Sequence, residues 1–223
     1  MNGSVKATAD SSIRGKALMV IAVYAVLFLF CFVMAIYDIS ASKPGLGIPF
    51  AIVAVIFAAL SLLKLNSVFG TYIKVRDNVL YMKSWANDFL PYDINGGFLS
   101  DLKPAKTKLT EIPADELSVV LVGTKDFIKR NVSEAGKRFI KTLYPYEHSR
   151  SKRDLISSMD MFYVETIDGE CSFMCIYGYD PEAVIDVIGE LYDINPDLYV
   201  RVGSRAYKRY VKKLQSKIQN NEY

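Results

Sequence analysis

Cys171, Cys175 and His148 are the side chains of this 223-residue chain best suited to metal binding or nucleophilic chemistry. His148 is the only histidine and sits in the polar stretch 146–153, so a zinc site built from these three lacks a fourth ligand. C-x3-C inside a strand is also not the spacing of a zinc knuckle. Four positions apart on a strand, the two cysteines share a face but stand about 13 Å apart, beyond the roughly 7 Å a disulfide spans. They read as reduced thiols on an inner face, which argues against a Cys–His nucleophile pair. Gly96-Gly97 is not followed by G-K-[ST], so there is no P-loop. The 24 carboxylates show no spacing that marks a general acid and base. These residues predict no catalytic site, no cofactor and no metal, and the chain reads as a non-enzyme.

The strongest signal is positional. Residues 17–37 and 44–63 are uncharged and apolar. About 20 helical residues cross a hydrocarbon core of about 30 Å, and a helix satisfies its own backbone there. The six residues 38–43 make the two helices antiparallel neighbours, and Ala51, Ala54, Ala58 and Ala59 offer small faces for packing. Neither span carries an internal ionisable residue, unlike a transporter or proton relay. Lys6, Arg14 and Lys16 precede the first span; Lys64, Lys74, Arg76 and Lys83 follow the second; the loop holds only Lys43, offset by Asp38. The positive-inside rule then places both termini in the cytoplasm of a multi-pass cell-membrane protein. On that side the sequon Asn131-Val132-Ser133 is a chance match.

The elements that follow are short strands between turn signals. Asp77-Asn78 predicts a hairpin pairing Val75 with Leu80 and Ile73 with Met82, with Lys74 and Tyr81 on the other face. Asn87-Asp88 is a second turn, leading into a strand over 89–92. A strand over 117–122 is expected to pair with 127–130 across 123–126. A third hairpin turns at Asp168-Gly169 as type I′, which lines Phe162, Val164, Cys171, Phe173, Cys175 and Tyr177 on one core face. Asp180 is an N-cap, Pro181 suits the first helical position, and the helix runs to about Tyr192 on the stripe Val184, Ile185, Ile188, Leu191, closed by Asn195-Pro196. Residues 133–158 read as helix at each end, broken near Pro145.

TYIKVRDNVLYMKSW, IPADELSVVLVG and MFYVETIDGECSFMCIYGYDPEAVIDVIGEL, together with the apolar hairpin, resemble the bacterial PH-like domains found in small membrane proteins. The resemblance implies an α+β membrane protein: a two-helix hairpin, then an antiparallel β domain, bent into a barrel or two sheets, with a helix across one opening. Peptide or lipid-headgroup binding would follow, but no ligand residue of the family maps onto this chain. The expected divisions are a tail 1–16, spans 17–37 and 44–64 joined by an extracytoplasmic loop 38–43, and a cytoplasmic domain 65–200. Two features depart from the compact pattern: a basic insertion about 129–158 and a basic amphipathic C-terminal helix in 201–223.

The net charge of +3 conceals a segregated pattern. Residues 125–153 hold nine Lys or Arg and three acids; 154–200 hold eleven acids and no Lys or Arg; 201–217 hold seven basic residues and no acid. The first reading is that the acidic hairpin and helix face the basic insertion and tail; the second is that these are ordinary solvated faces; the third is a basic surface for anionic lipid. Nucleic-acid binding lacks a motif and must overcome the acidic block. In the last helix, expected over 204–219, Tyr207, Tyr210, Val211, Leu214 and Ile218 form one stripe. Arg205, Lys208, Arg209, Lys212, Lys213 and Lys217 surround it as candidate lipid or partner contacts. The stripe lacks Trp and Phe, which favours docking on protein over lying in the membrane interface. The expected role is a tethered binding or regulatory module with a protein partner or a second copy. The alternatives are an anionic-lipid-binding domain, a subunit of a transport or envelope complex, and an enzyme with an unrecognised site.

Overall fold

The structure is a computed structural model that describes residues 4–8, 10–41, 44–85, 107–142, 159–207 and 209–212. Two compact units divide the chain, the apolar helices forming one and the β-rich domain the other.

In the first unit, α1 (Ser11–Ser40) and α2 (Pro44–Phe69) are antiparallel, with Tyr24 and Phe57 ring centroids 6.1 Å apart. Leu18–Ser40 and Gly45–Leu65 are long and apolar enough to cross a membrane. Cys31, Ala35 and Asp38 are buried at i, i+4 and i+7 of α1, and Ala54 is buried on α2. A Cβ at Gly47 would stand 3.1 Å from the Ala35 carbonyl oxygen, so the backbones approach closely where the side chain is smallest. Of the four alanines, Ala54 packs fully, Ala51 and Ala58 in part, and Ala59 is exposed. Because α1 continues to Ser40, Asp38 belongs to its last turn rather than to a loop.

The second unit is a mixed helix-and-sheet domain. β1 (Val5–Ala7), β2 (Tyr72–Arg76), β3 (Val79–Trp85) and β4 (Thr107–Pro113) form an antiparallel meander. Val75 pairs with Leu80 and Ile73 with Met82, the expected register. Asp77 and Asn78 both have positive φ, +52° and +62°, as a type I′ turn requires. β1 was not expected: residues 5–7 fall in what reads as a tail, yet Val5 pairs with Val75 and Ala7 with Ile73. Three residues without a turn give no local signal. The expected turn and strand over 87–92 lie outside the described residues.

β5 (Leu117–Thr124), β6 (Asp160–Thr166), β7 (Cys171–Cys175) and β8 (Tyr199–Val202) make the other sheet, in the order β7-β6-β5-β8. β8 runs parallel to β5, the one parallel pairing among the described strands. Residues 125–131 form a helix, α3 (Lys125–Asn131), not a strand paired with β5. Gly123 and Thr124 extend β5 opposite Met161 and Asp160 instead of turning. Asp126 in the first turn and Lys129 and Arg130 in the last complement the helix dipole. α4 (Glu134–Thr142) follows, the first of the two helical ends expected in 133–158.

The β6–β7 hairpin differs from expectation by one residue. Gly169 alone in the loop has positive φ, +81°, so the turn spans Ile167, Asp168 and Gly169 and closes with Thr166 N–H donating to Glu170 O. Phe162 therefore opposes Met174, and Tyr163 opposes Phe173. A one-residue slip moves every side chain to the other face. Phe162 and Val164 face the main core, whereas Cys171 and Phe173 face the opposite side with Tyr163, and Tyr177 is exposed. Both faces are covered. On one side, α5 (Pro181–Ile194) packs Val184, Ile185, Ile188 and Leu191 against both sheets; on the other, α3 and α4 bury Ile128, Val132 and Ile140 against Leu121, Met161 and Tyr163. Asp180 caps α5 by accepting from Glu182 N–H, 3.0 Å.

Candidate functional site

The C-terminal segment enters the core. After β8, Gly203 N–H donates to Val122 O, and Ser204 Oγ donates to Asp160 Oδ2 at 2.7 Å while accepting from Ala206 N–H. Tyr207 is 2% exposed, and Tyr210 and Val211 pack partly buried against the same core. The start of the stripe is thus docked on the domain. Arg205, Arg209 and Lys212 point outward and make no ion pair among the described residues. Lys208, Lys213 and Lys217, with Leu214 and Ile218, lie outside the residues whose side chains are described. Residues 199–202, to which the sequence alone assigns no element, are strand: YVRV alternates, but its partner β5 is remote in sequence.

Asp160 sits beneath this segment. Burial raises its pKa above the ordinary 3.8, and the Ser204 hydroxyl offsets part of that rise. Burial also pushes the Cys175 thiol up to about 12; its Sγ lies 3.9 Å from Met159 Sδ. Tyr207 and Tyr179 are likewise raised by burial. The Thr71 side chain lies close enough to Tyr179 to offset a little of that, yet outside hydrogen-bonding geometry, so the Tyr179 hydroxyl remains unsatisfied. A carboxyl raised in the folded state contributes stability fully below 3.8 and loses it as pH rises through the raised value. Asp160→Asn keeps an acceptor for Ser204 without the charge. Its melting temperature should gain on the parent's from pH 4 towards pH 7, and parallel curves would show that Asp160 is not desolvated.

A second polar cluster lies on the other face. Tyr163 hydroxyl donates to Glu165 Oε1 at 2.7 Å, and Ser133 N–H donates to the same oxygen at 3.2 Å. Ser133 Oγ in turn accepts from Gly136 N–H at 3.1 Å. Glu165, 4% exposed, thereby ties the start of α4 to β6. Burial, then Cys171 and Glu165, hold the Tyr163 hydroxyl far above the usual phenol range, and burial raises Cys171. Sequence reasoning passed over Glu165. Its signal is MFYVETI, apolar without alternation, which marks a strand covered on both faces; a carboxylate there must be held by hydrogen bonds.

Neither cluster gathers three metal-ligating side chains, and no such group occurs among the described residues. His148 lies outside them.

Comparison with family models, with curated proteins and with solved structures finds no match.

In one respect the charge blocks are arranged differently from the first reading: the acidic helix does not face the described part of the basic insertion. Alternate residues of β5 and β6 face α5 on one side and α3 with α4 on the other. The acidic helix and the described part of the basic insertion are therefore on opposite faces of the sheet. Two of the eleven acids, Asp160 and Glu165, are consumed as internal ties. The tail begins on the α5 side, where Tyr207 lies in the field of Asp160 and Asp180.

Proposed function

We propose that this chain is a membrane-tethered, non-catalytic binding or regulatory module. Its two-helix hairpin spans the cell membrane, and its cytoplasmic PH-like domain engages a protein partner. The observation that carries the tether is that Leu18–Ser40 and Gly45–Leu65 are each long and apolar enough to cross a membrane, and the pairing of β1 with β2 bears on their topology. These strands flank the two apolar helices in sequence, so one sheet holds the chain before the first helix and after the second. Strands of one sheet share a compartment, and the helices between them must cross an even number of times. The Lys and Arg around the helices favour the cytoplasm for that compartment.

Two β meanders with α5 against their shared core support the PH-like reading; β8 and the α3–α4 layer are additions to it. Asp160 and Glu165 each hold a segment of the domain in place. Cysteines introduced at Ser40 or Ser42 should react in intact cells with a membrane-impermeant thiol reagent, above the background of Cys31, Cys171 and Cys175, and cysteines at Ser4 or Asn220 should not. The reverse pattern would place the domain outside. Copurification in mild detergent then tests the partner: a stoichiometric protein is expected, and a chain recovered alone would sink that half of the reading.

A further inference from the structure

The face of the domain covered by α3 and α4 carries cations from three elements. Lys129 and Arg130 end α3, and Arg138 stands on the solvent side of α4; all three are exposed and make no ion pair among the described residues. Arg201 joins them from β8. It lies opposite Leu121, on the α3 side of the sheet, and its guanidinium donates to Asn131 Oδ1, a neutral group that leaves the charge uncompensated. Tyr199, two residues earlier on the same side, is 49% exposed beside them. The acids of this layer are few: Glu134 is paired with Lys137, and Asp126 is exposed. Beneath, Glu165 is turned inward to Tyr163 and Ser133. The carboxylates of α5 are on the other side of the sheet.

We propose that this face binds the anionic headgroups of the bilayer in which the hairpin sits. The inference rests on the tethered reading above. Four exposed cations, with a half-exposed tyrosine at their edge, match a diffuse negative surface. Each Lys or Arg held near anionic lipid is worth roughly fivefold in affinity. A hairpin anchored in the same bilayer keeps the face at high effective concentration, so a modest attraction suffices. The bilayer is favoured over an acidic protein because its negative surface is always within reach of a tethered domain.

The test uses the full chain in nanodiscs of phosphatidylcholine alone or mixed with phosphatidylserine. A fluorophore is attached at Ala135→Cys, an exposed position on α4, and quenched by headgroup spin-labelled lipid. Several-fold stronger quenching is expected in the anionic discs. It should fall when salt is raised from about 0.05 to about 0.5 M. It should also fall in a Lys129→Gln, Arg130→Gln, Arg138→Gln, Arg201→Gln variant and persist when the three arginines become lysine, which keeps charge and discards geometry. Equal quenching in the two lipids overturns the assignment. So does a glutamine variant that quenches like the parent but loses an acidic protein the parent retains. Release of the chain from vesicles by alkaline carbonate would instead refute the tether, and it is read before lipid composition is varied.

Discussion

Phe162→Ala should destabilise the domain by about 3–5 kcal/mol, as truncation of a fully buried aromatic does. Phe173→Ala should cost only about 1–2 kcal/mol, in proportion to the smaller apolar area it removes from water. Phe162 is 0% exposed among the residues that join both sheets to α5. Phe173 is half-buried in the smaller cluster, edge-on to Phe139 at 5.9 Å. A two-residue turn at Asp168-Gly169 would give these phenylalanines one face and similar costs; the three-residue turn separates them. Denaturant unfolding of the full-length protein in detergent, followed by the fluorescence of its single tryptophan, measures both. Equal losses would restore the two-residue turn.

Gly136→Ala should lower stability by about 2–5 kcal/mol, combining overpacking with loosened buried hydrogen bonds. A methyl group there would overlap the Glu165 carboxylate and the Tyr163 hydroxyl and stand 2.8 Å from Val132 Cβ. The sign is informative, because glycine to alanine in an open helix normally gains up to about 1 kcal/mol. Tyr163→Phe removes one of the two overlapping oxygens, so the double variant should cost less than the sum of the singles. Gly169→Ala is the contrast. Nothing stands within 4 Å of its added carbon, and only the φ of +81° opposes it, at about 1 kcal/mol. A neutral or stabilising Gly136→Ala would mean that α4 does not lie over Tyr163 and Glu165.

What the sequence made legible was local. The Asp77-Asn78 hairpin and the Asp180-Pro181 helix start are written in adjacent residues, and both form with the expected partners. The two apolar helices are legible from length and composition alone. The failures at β1 and β8 share one cause, pairing without a local signal. β1 meets β2 across some 65 residues of intervening helix, and β8 meets β5 in parallel, which no tight turn can announce. At Asp168-Gly169 the dipeptide was read correctly as a turn but not its length, since Asp-Gly serves two-residue and three-residue loops alike. The basic stripe was half legible: Tyr207, Tyr210 and Val211 do pack inward, while the Ser204–Asp160 tie that seats them had no pattern to betray it.

The β1–β2 pairing also sets an order of events during synthesis. β1 is made first but cannot be completed until β2 appears, after both apolar helices have been translated. In a membrane, the first sheet can close only if the chain has gone out and come back. A chain that crossed only once would leave β1 and β2 on opposite sides of the membrane, and β2 with an open edge, a template for pairing with other chains. Ala7, fully buried in the core, would then be missing from it. On the tethered reading proposed above, three residues at the start of the fold make completion of the domain conditional on correct insertion, so a misinserted copy is marked by its own unfinished sheet.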